Sequence, residues 1–463
     1  MALPGDIREI VREELYKYWY YAFDEQRDWK LNDWRVYVSA PVRHLIPYGD
    51  DVLVVTGIYG GVYSLRKRLW LLKYDRWFDP FRYEYIPGDD LDILVIASCD
   101  SPYLLTYRRG TFKWVELPAE TCSRISRPYK PDEKTLDETC YIYLGDTYEV
   151  AKFNPRTFEV TRTGTKFSYG LWGFGCVGSG GKWYIANERP SDQEGGIWEY
   201  NPETNKLTRV YTPEGDEKVF NLVGGPDGWF VAILQALDKK QVRLLLTKDF
   251  STYYKYILPE SIHFKRGVNE FGISWNVFKL DEGLAGFYVR GIVYVLGYFP
   301  PYPVPWSVPN IAPLFGSPIQ INDIAPFEGN YAIAFSGIGA AIAPPPQRYY
   351  GVITLVSPEV FFEVKPPPAY AVIWDNTSIE AGETSLPVVT AGWTRKTLMF
   401  EADTDGTLTI EIDVDGSDNY KVYDTVSITA NTPRWYMFTG DFARMRLKFD
   451  TAAKVTAKLY LHP

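Results

Sequence analysis

The chain has 463 residues with 58 acidic against 49 basic side chains, a formal charge of −9, and that balance excludes a nonspecific grip on nucleic-acid phosphates. No uncharged stretch is long enough to cross a bilayer as a helix, so neither nucleic acid nor membrane insertion is expected. Aromatic content of 16%, with 36 Tyr, 37 Gly and 33 Pro, predicts strands joined by many turns.

The first expected element is a helix over residues 1–24. Asp6 takes an N-cap position with Glu9 three residues on, the capping-box pattern. Ile7, Ile10, Val11, Leu15, Tyr18, Trp19 and Ala22 then recur at spacings of three and four. Such a stripe either plugs one face of the next domain or ties the chain to copies of itself or to a larger particle. Ile7, Ile10, Val11 and Leu15 are the candidate oligomerisation residues. The charged start contains no apolar signal segment, which predicts synthesis in the cytoplasm.

After a lead-in to residue 39, residues 40–366 carry a recurring hairpin. Trp198-Glu199-Tyr200-Asn201-Pro202-Glu203-Thr204-Asn205-Lys206-Leu207 is a strand, a polar turn and a second strand, and Val150–Val160 and Leu355–Phe362 resemble it. Turn markers at Pro80, Gly110, Asn154, Asn201, Asp249, Gly291 and Ser357 are mostly 42 to 48 residues apart, the length of a four-stranded propeller blade. The expectation is a β-propeller of seven blades, with six as the next count and a pair of stacked sandwiches as the competing all-β arrangement. The last interval holds a proline-aromatic insertion, Tyr298–Pro309, whose Tyr302 and Trp306 are candidate binding residues because proline holds them extended at low entropic cost. Cys99, Cys122, Cys140 and Cys176 show no metal-binding spacing. A Cys122–Cys140 bridge and isolated buried thiols are both open. Three His and four Met in a Tyr- and Pro-rich chain lean toward a thermophilic source.

The run Pro366-Pro367-Pro368 cannot continue a ladder and begins a third region, residues 369–463. There Leu408, Ile410, Ile412 and Val414 alternate with polar neighbours, as do Met445, Leu447 and Phe449, and Val455, Ala457, Leu459 and Leu461. Strict period two predicts a β-sandwich of jelly-roll type. The runs Gly406–Ser417, Tyr423–Thr432 and Arg444–Asp450 resemble the small sandwiches of structural proteins in tailed phages and archaeal viruses. The opening Ile7–Leu15 is similar to their short anchoring helices. The resemblance implies a place in a virion and a role in its structure or attachment, and it supplies no catalytic residue.

Chemistry is sparse. His44, His263 and His462 are the only imidazoles, and no Gly-x-Ser-x-Gly elbow or phosphate loop occurs. No cofactor and no metal is expected. Asp413-Val414-Asp415-Gly416-Ser417-Asp418 crowds three carboxylates, yet it lacks the later bidentate Glu of a calcium loop and reads as an Asp-Gly hairpin turn. Thr247–Tyr254 and Ser191–Trp198 resemble degenerate Asp boxes of sialidase propellers, which stabilise turns. The expected protein is thus a non-enzymatic viral structural or attachment protein that assembles through its ends and meets a host glycan, a host protein or a neighbouring subunit. A sialidase-like propeller glycosidase with an accessory sandwich, and a cellular surface or scaffold propeller, are the alternatives.

Overall fold

The computed structural model describes residues 35–38, 42–57, 60–86, 92–99, 101–120, 122–126, 139–171, 175–225, 228–262, 264, 278–281, 284–297, 309–317, 320–335, 351–363 and 366–463. The expected helix over 1–24, with Ile7, Ile10, Val11 and Leu15, lies outside the described residues. So do Tyr302, Trp306 and His263.

Among the described residues the protein is all-β apart from short helical turns such as Pro358–Glu363 and Ser191–Gln193. Four-stranded antiparallel sheets follow one another along the chain. Their inner strands are Val42–Tyr48, Pro80–Ile86, Cys122–Ser126, Cys176–Ser179, Glu217–Gly224, Phe278–Asp281 and Ile321–Phe327. Each sheet meanders outward from its inner strand through three more.

Burial differs between the second strands and several of the fourth. Second strands such as Ile93–Ser98 and Phe230–Ala236 are buried at every position, because a sheet lies against each of their faces and both faces must then be apolar. Fourth strands such as Thr111–Glu116 and Lys206–Tyr211 alternate exposed with partly buried residues, as a rim strand does.

Apolar clusters join consecutive sheets in pairs. One joins the first and second through Leu53, Val55, Leu94 and Ile96. Others join the second and third, the third and fourth, the fourth and fifth, and the sixth and seventh. The seventh then packs on the first through Ala332, Ile353, Val42 and Val54. This pairwise closure makes the arrangement propeller-like.

The seventh sheet completes itself from the other end of the chain. After Gly351–Val356 the sequence turns into the helix Pro358–Glu363, and the outer strand is Arg35–Val38, paired antiparallel from Arg35↔Thr354 to Val38↔Gly351. The expected hairpin over 355–362 is therefore half strand and half helix. Proline at the first helical position loses no hydrogen bond there. A chain beginning at residue 39 should leave Gly351–Val356 as a bare edge, lose about 2 kcal/mol, and exchange those amides faster in a hydrogen-exchange measurement.

Besides Ser357, which leads into the helix Pro358–Glu363, two further turn markers prove to mean something else. Gly110, Asn154, Asn201 and Asp249 do join third to fourth strands. Pro80 instead opens the second inner strand, and Gly291 joins the second and third strands of the sixth sheet.

The C-terminal strands form two layers over one core. Ala369–Ile379, Ala453–His462, Arg395–Ala402 and Arg434–Thr439 make one sheet, which also takes Glu260–Ser261 at its far edge. Val388–Val389, Arg444–Phe449, Gly406–Asp413 and Lys421–Ile428 make the other, joined to the fifth sheet by a parallel pair, Ile257↔Val388. Val455, Ala457, Leu459, Leu461, Met445, Leu447 and Phe449 are buried as the alternation predicts. The exception is the end of one run, where Val414 is 53% exposed and Asp413 fully buried. A single apolar cluster runs from Val231 and Leu244 of the fifth sheet, through Phe287 and Tyr294 of the sixth, to Leu398, Leu408 and Leu459.

The proline run is part of this seam rather than a spacer. Trp393 Nε1 donates to the Pro367 carbonyl at 2.8 Å. A Cβ on Gly316 would lie 2.8 Å from Pro367 Cγ, so only glycine lets the strand pass.

Candidate functional site: the inner-strand ring

The inner strands share a local device. In six of them, among the described residues, the ladder to the second strand skips one residue: between Val42 and His44, Pro80 and Arg82, Cys122 and Arg124, Val219 and Asn221, Lys279 and Asp281, and Ile321 and Asp323. A bulge re-aims the residue that follows it. In all six strands that residue is of a polar type: His44, Arg82, Arg124, Asn221, Asp281 and Asp323. The fourth inner strand is regular and begins with Cys176.

The ring is knitted across its axis. Arg82 Nη2, from the second sheet, donates to Asn221 Oδ1 of the fifth at 2.7 Å. The same oxygen accepts the Leu222 amide at 2.9 Å. Asp323 accepts the amides of Leu45 and Ile324, both at 2.9 Å, and Asn322 donates to the Val42 carbonyl. These bonds tie the seventh sheet to the first. Nearby, Arg43 grips Asp79 through two bonds of 2.8 Å, a geometry that adds direction to charge. His44 is fully buried, edge-on to Tyr83 with ring centroids 5.2 Å apart.

Electrostatics fix what this ring can do. Burial pushes the Cys176 thiol up, against the pull of the Arg82 and Arg124 guanidiniums. A thiol held in its neutral form is a poor nucleophile. Glu188 stands just past the second strand of the fourth sheet. Burial lifts its carboxyl to about 7, while Lys218 and Arg124 pull it back. An acid raised by folding adds stability below its unfolded value that is lost as pH climbs through the folded one. Glu188→Gln should therefore gain stability relative to the parent between about pH 4.5 and 7, with no difference below that window, as read by denaturant midpoints across pH. Asn221→Ala strands the Arg82 bond and the Leu222 amide together, and an equilibrium denaturation should register roughly 1–3 kcal/mol of loss.

The other candidates resolve into structure. In the Asp413–Asp418 turn, Asp413 accepts the amides of Gly416 and Asp418, both at 3.0 Å, and Asp415 accepts the Ser417 amide and hydroxyl. Asp418 takes the Tyr420 hydroxyl, and Arg444 stands between Asp413 and Asp418 with its guanidinium 4.1 Å from the centre of the Tyr256 ring. The carboxylates thus cap the loop of a hairpin whose ladder ends at Ile412↔Lys421, longer than the two-residue Asp-Gly turn expected, and no metal-binding group of acids occurs among the described residues. Asp249 caps its own turn through Ser251. Ser191–Gln193 lies between the second and third strands of its sheet, away from the turn an Asp box occupies. His462 is exposed on the last strand.

The thiols do not pair as one alternative had it. Cys122 stands opposite Leu144, four residues along the neighbouring strand from Cys140, about 13 Å at the strand rise and too far for a bridge. Cys140 and Cys176 are buried, and Cys99 is half-buried.

A cleft of about 540 Å³ opens between the hairpin tips Gly49–Asp51 and Phe327–Asn330, walled by Pro47, Pro326, Tyr331 and Leu280. Its Asp51 already accepts Val52, Ser64 and Arg66, and Asp50 pairs with Arg66.

No family model and no curated protein matches the sequence. The solved structures it resembles are β-propeller proteins. Among them are YCF48 from Cyanidioschyzon merolae, at 9% identity over 70% of this chain and 99% of that one (TM-score 0.42), and a chain of a mitotic checkpoint complex, at 9% over 70% and 95% (TM-score 0.44). A third is hydrazine synthase of Kuenenia stuttgartiensis, at 12% over 63% and 92% (TM-score 0.40). Likeness at this level carries no argument about activity.

The ring residues were missed in the sequence because each looks like an isolated polar residue in an apolar strand. The available signal was their repetition: Val42-Arg43-His44-Leu45, Pro80-Phe81-Arg82-Tyr83, Val219-Phe220-Asn221-Leu222 and Ile321-Asn322-Asp323-Ile324 share one polar offset.

Proposed function

We propose that this is a non-enzymatic assembly and attachment protein: a seven-bladed propeller over residues 40–366, fused to a β-sandwich over 369–463. The observation that carries this reading is the cross-axis Arg82–Asn221 bond, set among acids already engaged by Arg43 and by backbone amides. Hydrolysis of a glycoside needs two carboxyl groups facing one substrate. Asp79 and Asp323 serve here as structural acceptors, which supports a role carried by surfaces over one carried by these two acids. The virion setting comes from the sandwich resemblance, with the N-terminal segment as anchor and the insertion around Tyr302 and Trp306 as a contact for host glycan or protein. A scaffold role in a cell would use the same surfaces.

The glycosidase alternative rests on Glu188, whose carboxyl at about 7 has the poise of a general acid. Purified protein should show no turnover on a panel of aryl glycosides. Turnover that disappears in Glu188→Gln would replace the binding reading with the enzymatic one. Light scattering on the full chain and on one lacking residues 1–24 tests assembly through the N-terminal segment, with a fall in mass as the expected result.

A further inference from the structure

Among the described residues, the most exposed apolar side chains lie on the C-terminal layers. Met437 is 79% exposed, Val422 62% and Trp435 60%. Met437 and Trp435 belong to Arg434–Thr439, which stands at the edge of its sheet with no described strand beyond it. Its even positions, Tyr436 and Phe438, pair with buried Leu398 and Lys396 and face inward, so Trp435 and Met437 face out. Trp435 lies in stacked contact with Tyr460 two strands away, at a centroid distance of 6.1 Å.

An edge of this kind is a ready template for another strand, and proteins usually blunt it with lysine, proline or a bulge. Arg434–Thr439 contains no lysine and no proline, and its ladder to Arg395–Phe400 is unbroken. Its sequence is also self-complementary. Antiparallel pairing with itself about Tyr436 sets Trp435 opposite the partner's Met437 and Met437 opposite the partner's Trp435. Each pair gains a sulfur–aromatic contact, and Arg434 meets the partner's Phe438, so no like charges oppose. The Thr439 carbonyl already accepts the Tyr423 hydroxyl at 3.4 Å, which confines the pairing to the five residues before it.

We propose that Arg434–Phe438 docks against the same strand of a second copy of this chain, forming a two-fold dimer with one continuous sheet across both C-terminal layers. Because the contact is isologous it closes on itself and does not grow into a filament. It deepens the assembly reading above, on which it rests, by naming a surface and an occupant. The strand is only six residues long, the reach of a weak, transient contact rather than a permanent interface, so the dimer is reversible and concentration-dependent.

The test is sedimentation velocity on the full chain across a concentration series, with circular dichroism to verify folding. The parent should pass from monomer to dimer. Trp435→Glu with Met437→Glu places like charges opposite one another twice and should weaken the dimer at least about tenfold. Trp435→Lys with Met437→Glu sets opposite charges across both pairs and should restore it, which loss of apolar surface alone would not do. Both positions face solvent, so these variants keep their fold. Unchanged association in the double-glutamate variant overturns this interface and leaves assembly through another surface standing. A parent that stays monomeric throughout overturns both.

Discussion

Glu217→Ala is expected to destabilise the protein by roughly 3–5 kcal/mol, seen as a lower midpoint in urea unfolding. The Glu217 side chain is completely buried and accepts from Arg243 at 2.7 Å, from Lys255 at 3.5 Å and from the Tyr211 hydroxyl. Arg243, itself 6% exposed at the side chain, also donates to Gln241 at 2.8 Å. Gln241 in turn gives its amide hydrogens to the carbonyls of Val372 and Ile373, both at 2.9 Å. One polar relay thus runs from the last strand of the fourth sheet, across the fifth, into the first long C-terminal strand. Removing the carboxylate leaves a guanidinium inside the fold with its charge uncompensated. Desolvation of a lone charge then dominates, and it exceeds the modest net worth of any single hydrogen bond. Glu217→Gln keeps the shape and loses the charge, so it should fall between the parent and the alanine variant.

Trp393→Ala should cost a similar amount, roughly 3–5 kcal/mol, by a different mechanism. Trp393 is fully buried in the cluster shared by the fifth and sixth sheets and the C-terminal layers. Its loss opens a cavity at the seam and leaves the Pro367 carbonyl without its donor. Trp393→Phe refills most of the volume, and its smaller deficit reports the bond to Pro367. In the same titration, a separate early transition confined to the C-terminal layers would argue against the shared core. A single transition at lower urea is the expected form, because one cluster spans both regions.

Most of the architecture was legible because burial imposes periods on strands. Leu459, Leu461, Met445 and Leu447 sit inside where alternation placed them, and the Asn154 and Asn201 turns join strands where their chemistry demands. The misreadings share a cause: one residue type serves several backbone roles. Pro80 marks a strand start as readily as a turn. Val414 follows the apolar rhythm, yet Asp413 turns inward to cap the Gly416 and Asp418 amides and breaks it. The His44, Arg82, Arg124, Asn221 and Asp323 ring was hidden because a bulge changes which face a residue occupies, and the period-two rule has no term for the extra residue. The docking of the C-terminal layers was equally hidden. Pro366-Pro367-Pro368 reads as a stiff spacer until Gly316 and Trp393 are seen packed against it.

The pairing of Arg35–Val38 with Gly351–Val356 also governs the order of events during synthesis. The first strand leaves the ribosome before any sheet of the ring exists, and its partner emerges only after nearly the whole ring has been translated. At typical elongation speeds that interval is roughly tens of seconds, far longer than a hairpin needs to form. Each meander can therefore fold as it appears, while the opening segment waits unpaired. Ring closure is then a late, high-contact-order step, and an interrupted translation would release a chain with two bare edges in place of a closed circle.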